Sequence, residues 1–481
     1  MTRGERFGLY AFFVLVVGLA LHNAAMAELW DLGVRGRALD VVSAWKESLL
    51  LLAFLVLAWK VRRLPPVSAA DVLALLYAAI VVVYAILPQA WLDGAATTEG
   101  RLLAVRHHLL PVGAYAVGRL LGILWRKPGR LGWVVAATAA GVALIGLLDL
   151  AFVSLQSWRD SGVPGWYRDQ LGLHYEGLSG LPENWVFNTG HEDNPIRRLV
   201  STFLSPLASA YVLVVALVFV ASRRYRVWSV PLAALLYAGL LYTHTRAAFA
   251  ALALGLLLLA LAQRRWAPAI LAAVSVLAAA VFVAAYPTIG PSTSYTPAEL
   301  AFLRENAQRH PGTSSDPFSG NDASTRSHLS NLRDGLRTVI HHPQGYGLGN
   351  TGVSAKRTGV EIKAGESTYT ELGVDAGIAG LLAFVLWSLA LLRGLWRREA
   401  WIAAAFAAVL FLGLQTDVIG VHWIAVVVWG AAGMVLAGPV VERDAEVGEP
   451  TSSTEPLESD SPLDRPEPEH ETTTTSRSQS P

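Results

Sequence analysis

The 481-residue sequence contains no cysteine. That excludes disulfides, thiolate metal sites and a cysteine nucleophile. Charge is scarce: 16% of residues are Asp, Glu, Lys or Arg, against roughly 25% in a soluble domain. With 53% of residues hydrophobic, the deficit argues against a cytosolic enzyme and for a chain solvated by lipid. A Walker-type or dinucleotide glycine fingerprint is missing, and so is an internal repeat. No paired carboxylates or His-x-x-x-His cluster mark a Mg or Zn site. No metal, cofactor or nucleic-acid partner is expected.

What the sequence does have is long apolar runs. A helix crosses the ~30 Å hydrocarbon core with about 20 apolar residues. Segments 7–26, 42–59, 69–87, 102–123, 131–153, 200–221, 227–242, 247–261, 268–286, 376–392, 401–414 and 421–437 fit. The expected fold is all-α, a polytopic membrane protein of about 12 transmembrane helices. Basic residues orient it. With the N-terminus cytoplasmic, Arg3 and Arg6 lie inside. So do Lys60, Arg62 and Arg63; Arg126, Lys127 and Arg130; Arg223, Arg224 and Arg226; Arg264 and Arg265; and Arg393, Arg397 and Arg398. The short outer turns carry only Arg35, Arg37 and Arg101. Tryptophans such as Trp30, Trp59, Trp91 and Trp125 stand at run ends, as an interfacial belt requires. A cleavable signal peptide ending near Ala25-Met26-Ala27 is the rival reading of the first run. Both termini are expected in the cytoplasm.

The organisation expected is a bundle of nine spans over 1–286, with an outer loop at 154–199. A large outer loop over 287–375 with two helices follows, then three spans over 376–440. The tail, 441–481, is expected to be disordered and acidic, with net charge −8 against +9 for the rest. Within the large loop, Thr296-Pro297-Ala298-Glu299 reads as a capping box that starts a helix to about Gln308. Residues 311–322 read as turn and coil, and 324–341 as a second helix. There Leu329, Leu332, Leu336 and Ile340 share a face expected to rest on the membrane surface or the bundle top. Pro343, Gly345, Gly347 and Gly349 end that helix in a glycine-rich bend.

The ionisable residues near spans fall at one end. His22, Lys46, Glu47, Arg106, His107, His108, Asp149, Arg197, Arg198, His244, Arg246, Asp375, Asp417 and His422 all map to outer ends. An ion-coupled transporter would place such groups at the midplane. An enzyme acting on a membrane-borne substrate at the outer leaflet would give this one-sided pattern. Plain snorkelling to water is the alternative for any single residue. Arginine suits a pyrophosphate leaving group, because its fork binds phosphate bidentately and never deprotonates. Arg246 sits in Thr243-His244-Thr245-Arg246, a turn rich in donors. Arg198 precedes Ser201-Thr202 at a helix start, where backbone N–H groups favour anions. Arg106 could reach the same space.

Three segments carry a resemblance. Arg198 to Ala208 looks like an Arg…Gly-Thr-Phe-x-x-Pro…Ala pattern, and Thr243 to Ala248 like Thr-x-Ser-Arg-Gly-Ala. Arg326 to Gly349 looks like an Arg-helix-Pro-x-Gly-x-Gly-x-Gly segment. In this order they resemble the O-antigen ligase/polymerase superfamily over about 200–437. The resemblance implies a bundle like that of GT-C-type glycosyltransferases, in the bacterial inner membrane, with the large loop periplasmic. It implies transfer of a glycan from an undecaprenyl-pyrophosphate donor to lipid A–core, a second lipid-linked glycan or another hydroxyl acceptor, in cell-surface polysaccharide biosynthesis. The family's ligases carry a histidine eleven positions ahead of a Gly-x-x-Gly. Gly377 and Gly380 fit the glycines here, and Glu366 stands where the histidine would be. Glu366 is therefore the candidate general base, best suited if burial raises its pKa. Its plainer reading is a helix N-terminal acid. Arg198, Arg246 and Arg106 are the candidate pyrophosphate ligands, with Arg197, His244, Arg326, Ser367, His107 and His108 in support. A metal-independent, inverting single displacement would follow. A bicarbonate-like small-anion transporter and a non-catalytic polysaccharide-assembly protein are the alternatives.

Overall fold

Every apolar run folds as helix. The computed structural model describes residues 3–61, 65–125, 128–187, 195–224, 226–309, 323–363 and 366–438. The segment 441–481 forms a unit of its own outside the described residues, so the predicted tail lies there. So do Arg62, Arg63, Arg126, Lys127 and the predicted coil at 311–322.

The first five runs give α1 (Arg3–Asp31), the pair α2 (Arg37–Ser43) and α3 (Trp45–Lys60), α4 (Ala69–Ile86), α5 (Thr98–Leu124) and α6 (Pro128–Phe152). The next segment holds α7 (Leu155–Arg159), α8 (Val163–Gly165) and two short antiparallel strands, β1 (Val186–Phe187) and β2 (Ile196–Arg197). Then come α9 (Pro206–Ser222), α10 (Ser229–Tyr242), α11 (Arg246–Gln263) and α12 (Trp266–Ile289). The second long connection holds α13 (Pro297–Arg309), α14 (Ala323–His341) and α15 (Gly352–Thr358). The chain closes with α16 (Thr368–Trp396), α17 (Ala400–Leu412) and α18 (His422–Leu436).

Among the described residues, seven helices are long and apolar enough to cross a membrane, and α9, α10, α17 and α18 are shorter apolar helices. Helix α5 is long but carries Glu99, Arg101, Arg106 and Arg119. The protein is thus an all-α, multi-pass membrane protein. Three of the four short helices lie at the centre of the bundle. Helices α9, α17 and α18 are buried along nearly their whole length and form the centre. Around them α3, α4 and α12 turn Leu51, Leu75 and Leu277 outward, each more than half exposed. Apolar surface on that scale suits lipid rather than water.

The closest crossing joins α5 to α18, and small residues permit it. A Cβ on Gly118 would stand 2.0 Å from the Gly430 carbonyl oxygen, and one on Gly122 would stand 2.1 Å from that of Met434. Gly433 on α18 meets the Tyr115 carbonyl in the same way. The backbones themselves are in contact.

One buried charge cluster lies away from the polar end. Arg119 donates to both oxygens of Asp71 at 2.8 and 2.7 Å, and to the Pro66 and Leu436 carbonyls. Tyr115 donates to Asp71 at 2.7 Å, and Ser68 closes a capping box with Asp71 at the start of α4. The expectation that charges avoid the inner ends is corrected here. A fully hydrogen-bonded bidentate pair is tolerated where a lone charge is not.

At the opposite end, segments from both long connections fold over the bundle around Trp166, Leu178, Leu181, Trp185 and Tyr295. The predicted capping box at Thr296 and Glu299 forms. Glu299 also takes both arms of Arg159, at 3.1 and 2.7 Å, which ties the two connections together.

Helix α14 docks on the bundle by a face other than its apolar stripe. Its face toward α16 is His328, Asn331, Gly335 and Val339, spaced i, i+3, i+7 and i+11. A Cβ on Gly335 would meet Thr370 at 2.8 Å, and one on Gly373 would meet Val339 at 2.6 Å. Leu329, Leu336 and Ile340 remain exposed. The apolar stripe does not sit on the bundle top, because the small Gly335 lets the neighbouring face approach more closely.

Candidate functional site

The polar end is organised by a break in α16. Ser367 caps the helix, accepting from the Tyr369 N–H at 3.3 Å and donating to the Gly413 carbonyl at 3.0 Å. The helix runs to Asp375 and then leaves helical geometry at Ala376 and Gly377. Gly377 has φ 66° and ψ −179°, a conformation essentially confined to glycine. The glycine-rich bend fills the break. Tyr346 N–H donates to the Val374 carbonyl at 2.6 Å, and Ile378 N–H donates to the Pro343 carbonyl at 2.9 Å. Backbone groups freed by the broken helix are thereby satisfied. Asn350 pins the bend, donating to the Gly347 carbonyl at 2.8 Å while its own carbonyl accepts from Ala95 N–H at 2.8 Å.

The break sets Asp375 against α5. Its carboxylate accepts the Asn350 N–H at 3.2 Å and lies 3.1 Å from His108 Nε2, whose Nδ1 faces the Tyr77 hydroxyl at 3.3 Å. His107 takes a second carboxylate, Asp417, at 3.2 Å. Burial alone would raise the Asp417 pKa, but His107 and His108 hold it below the ordinary value. Both predicted histidines thus tie α5 to other elements: His108 to the α16 break, and His107 to the turn before α18.

The arginines separate into two groups. Arg198 donates to the Thr243 carbonyl at 2.8 Å, the Asn184 carbonyl at 2.9 Å and Thr245 Oγ1 at 3.1 Å. It therefore latches the Thr243–Arg246 turn, and Arg246 begins α11 beside it. Burial, with the charge of Arg246, pushes the Arg198 pKa down to about 10. His244 holds the turn at φ 48°, stacked on Tyr286 at 4.6 Å. Arg197 is committed elsewhere, to a buried ion pair with Asp149 at 3.1 Å. Arg106 lies in the second group. It pairs with Glu47 at 2.6 Å and lines a cavity of about 480 Å³ with Lys46, His22, Arg357, Tyr167 and His422. Neither Arg198, Arg246 nor Glu366 lines that cavity.

Glu366 precedes α16 and is about half exposed. Its Oε2 lies 2.8 Å from Nδ1 of His328 on α14. His328, with help from Lys356 and Asn331, holds the Glu366 carboxyl below the ordinary glutamate value despite partial burial. The condition that would best suit Glu366 to act as base, a pKa raised by burial, is not met. Arg326 is exposed two residues before His328. The Tyr211 hydroxyl bonds Thr416 Oγ1 at 2.6 Å. Thr416 belongs to the turn that carries Asp417 and leads to His422 on the cavity wall. His328, Arg357 and Tyr211 were not singled out from sequence. The signal for His328 was its place on one face with Gly335, two turns away.

The structure is a multi-pass helical bundle with a set of arginines, histidines and carboxylates at one end. Residues 231–385 match the family model described as O-antigen ligase. The match bears out the resemblance to the O-antigen ligase superfamily over a stretch that includes Arg246, His328, Glu366, the glycine-rich bend and Gly377. It supports a membrane enzyme of the ligase/polymerase type in polysaccharide assembly. No curated protein matches the chain.

Proposed function

We propose that the chain transfers a glycan from an undecaprenyl-pyrophosphate donor to a hydroxyl acceptor at the periplasmic face of the bacterial inner membrane, with both termini cytoplasmic. The observation that carries this reading is the seat of Arg198 on the Arg246 turn. Arg198 donates to carbonyls and a hydroxyl of the segments around this turn, and the positive charge of Arg246 acts on it. Like charges held together favour an anion between them. Pyrophosphate is such an anion, and its negative charge grows as the glycosyl bond breaks. Phe203 and Ser205, just beyond Arg198, reach the wall of the 480 Å³ cavity. That cavity is within the size range of small-ligand sites. Trp166 and Tyr167 offer it aromatic faces and Gln170 an amide, a lining suited to acceptor sugars.

In the step proposed, the acceptor hydroxyl gives up its proton near Glu366 and its oxygen attacks the anomeric carbon. The bond to pyrophosphate breaks, and the lipid pyrophosphate leaves with the electron pair. A single displacement inverts the anomeric centre and asks for no metal. Lipid A–core, a second lipid-linked glycan and another hydroxyl compound are the acceptors to compare. Arg246→Lys tests the leaving-group role, since lysine keeps the charge but loses the fork. Donor turnover at least tenfold lower supports the role. Unchanged turnover and donor affinity remove Arg246 from it.

A further inference from the structure

We propose that His328 is the catalytic base of this transfer and that Glu366 is its positioning residue. This rests on the glycosyl-transfer reading above. The two side chains come from different elements, 38 positions apart, and meet at 2.8 Å between Nδ1 and Oε2. Nδ1 is sealed from solvent with no well-aligned hydrogen bond, and Glu366 Oε2 is the carboxylate oxygen beside it, while about a quarter of the His328 side chain remains exposed. A carboxylate beside Nδ1 favours the tautomer with its proton there, which leaves the Nε2 lone pair to take a proton. This is the arrangement of a base oriented by a third group.

The division of labour follows from the chemistry of the two groups. A base works best when its conjugate acid titrates near the working pH. Glu366, held below the ordinary glutamate range by His328, is a weaker base than an imidazole. An imidazole is matched to neutral pH, and a carboxylate beside it stabilises the imidazolium once the proton arrives. The proton passes from the acceptor hydroxyl to Nε2 as the oxygen attacks the anomeric carbon, and later returns to bulk water.

The mounting of His328 supports a fixed role. It lies on the face of α14 that docks on α16, two turns from Gly335. Gly335 and Val339 bring α14 against Thr370 and Gly373, two and five residues into the helix that Glu366 precedes. Asn331, one turn on from His328, also favours the charged form of that carboxylate. A surface ion pair would need no such docking.

The test uses the full-length protein in detergent or nanodiscs with a defined undecaprenyl-pyrophosphate oligosaccharide and an acceptor, and follows release of undecaprenyl pyrophosphate against pH. His328→Gln keeps a polar side chain but cannot serve as the base. It is expected to lower kcat by about 10²–10⁴-fold and to abolish the imidazole limb of the pH profile. His328→Ala is expected to regain turnover on addition of free imidazole. Glu366→Gln is expected to lower kcat about tenfold, leave KM nearly unchanged and move the limb to lower pH. Turnover of His328→Gln within twofold of wild type, with an unchanged pH profile, overturns the assignment while the transfer reading stands. Loss in Glu366→Gln with no loss in His328→Gln returns the base to Glu366. A thermal midpoint measured on each variant separates misfolding from chemistry, and rescue by imidazole can come only from a folded site. No release by the wild type with any acceptor overturns the transfer reading itself.

Discussion

Replacing Gly377 by alanine tests the interlock on which the site is built. Its backbone, at φ 66° and ψ −179°, lies where an L-residue is strained. Occupying such a region costs about 1–3 kcal/mol. The added Cβ would also stand 2.8 Å from the carbonyl oxygens of Pro343 and Gln344 and from the Tyr84 hydroxyl. Two of those atoms are backbone and cannot rotate away, so overpacking adds about 1–3 kcal/mol. Gly377→Ala should therefore destabilise by about 2–6 kcal/mol. Gly359 is the matched control. It has nearly the same φ, 67°, but ψ 21°, and nothing lies within 4 Å of its missing Cβ. Gly359→Ala should cost only the left-handed penalty, about 1–2 kcal/mol. Thermal midpoints of the two purified variants in one detergent, followed by tryptophan fluorescence, give the comparison. Gly377→Ala should fall well below Gly359→Ala and lose donor turnover, because the break positions Asp375 and the start of α16. Equal midpoints would refute the reasoning, since they would mean that the bend yields freely to a methyl group.

Three further outcomes follow from the same geometry. Gly118→Ala should sharply reduce the yield of folded protein, because its Cβ would overlap the Gly430 carbonyl, whereas Gly141→Ala, with open space around it, should be neutral; size-exclusion profiles of the two variants decide this. Asp71→Asn should cost about 3–5 kcal/mol by leaving the buried Arg119 charge uncompensated, read as a lowered thermal midpoint. The lowered Glu366 pKa implies that its contribution to docking α14 is complete above the ordinary glutamate value of 4.5 and is lost as pH falls below it. Hydrogen exchange over 326–341, corrected for intrinsic rates, should then rise below that pH in the wild type, and Glu366→Gln should remove the dependence.

The twelve apolar runs, all of them helical, were legible because a span is written in consecutive residues. Its length follows from the bilayer, and Arg and Lys at its ends follow from topology. The glycine pattern was also legible, since Gly345, Gly347 and Gly377 stand at positive φ where other residues are strained. Why those glycines are needed was not, because the bend and Gly377 explain each other only when brought into contact. Helix α14 shows the limit most clearly. Leu329, Leu332, Leu336 and Ile340 make the stronger periodic signal, yet the weaker neighbouring face docks because Gly335 permits close approach. The pairings of Glu366 with His328, of Asp71 with Arg119 and of Arg198 with the Thr243 carbonyl join positions 38, 48 and 45 apart. No local pattern encodes such partners. Arg106 fell among the wrong companions for the same reason, since its depth in α5 was readable but the cavity around it was not.

The central claim is that this polar end breaks a glycosyl–pyrophosphate bond. Purified wild-type protein incubated with a defined undecaprenyl-pyrophosphate oligosaccharide and a hydroxyl acceptor measures this directly, with lipid and glycan products separated by mass. One undecaprenyl pyrophosphate is expected to be released for each glycan joined to acceptor, with the new linkage inverted at the anomeric carbon. Intact donor, together with uptake of a small anion by proteoliposomes of the same protein, would contradict it.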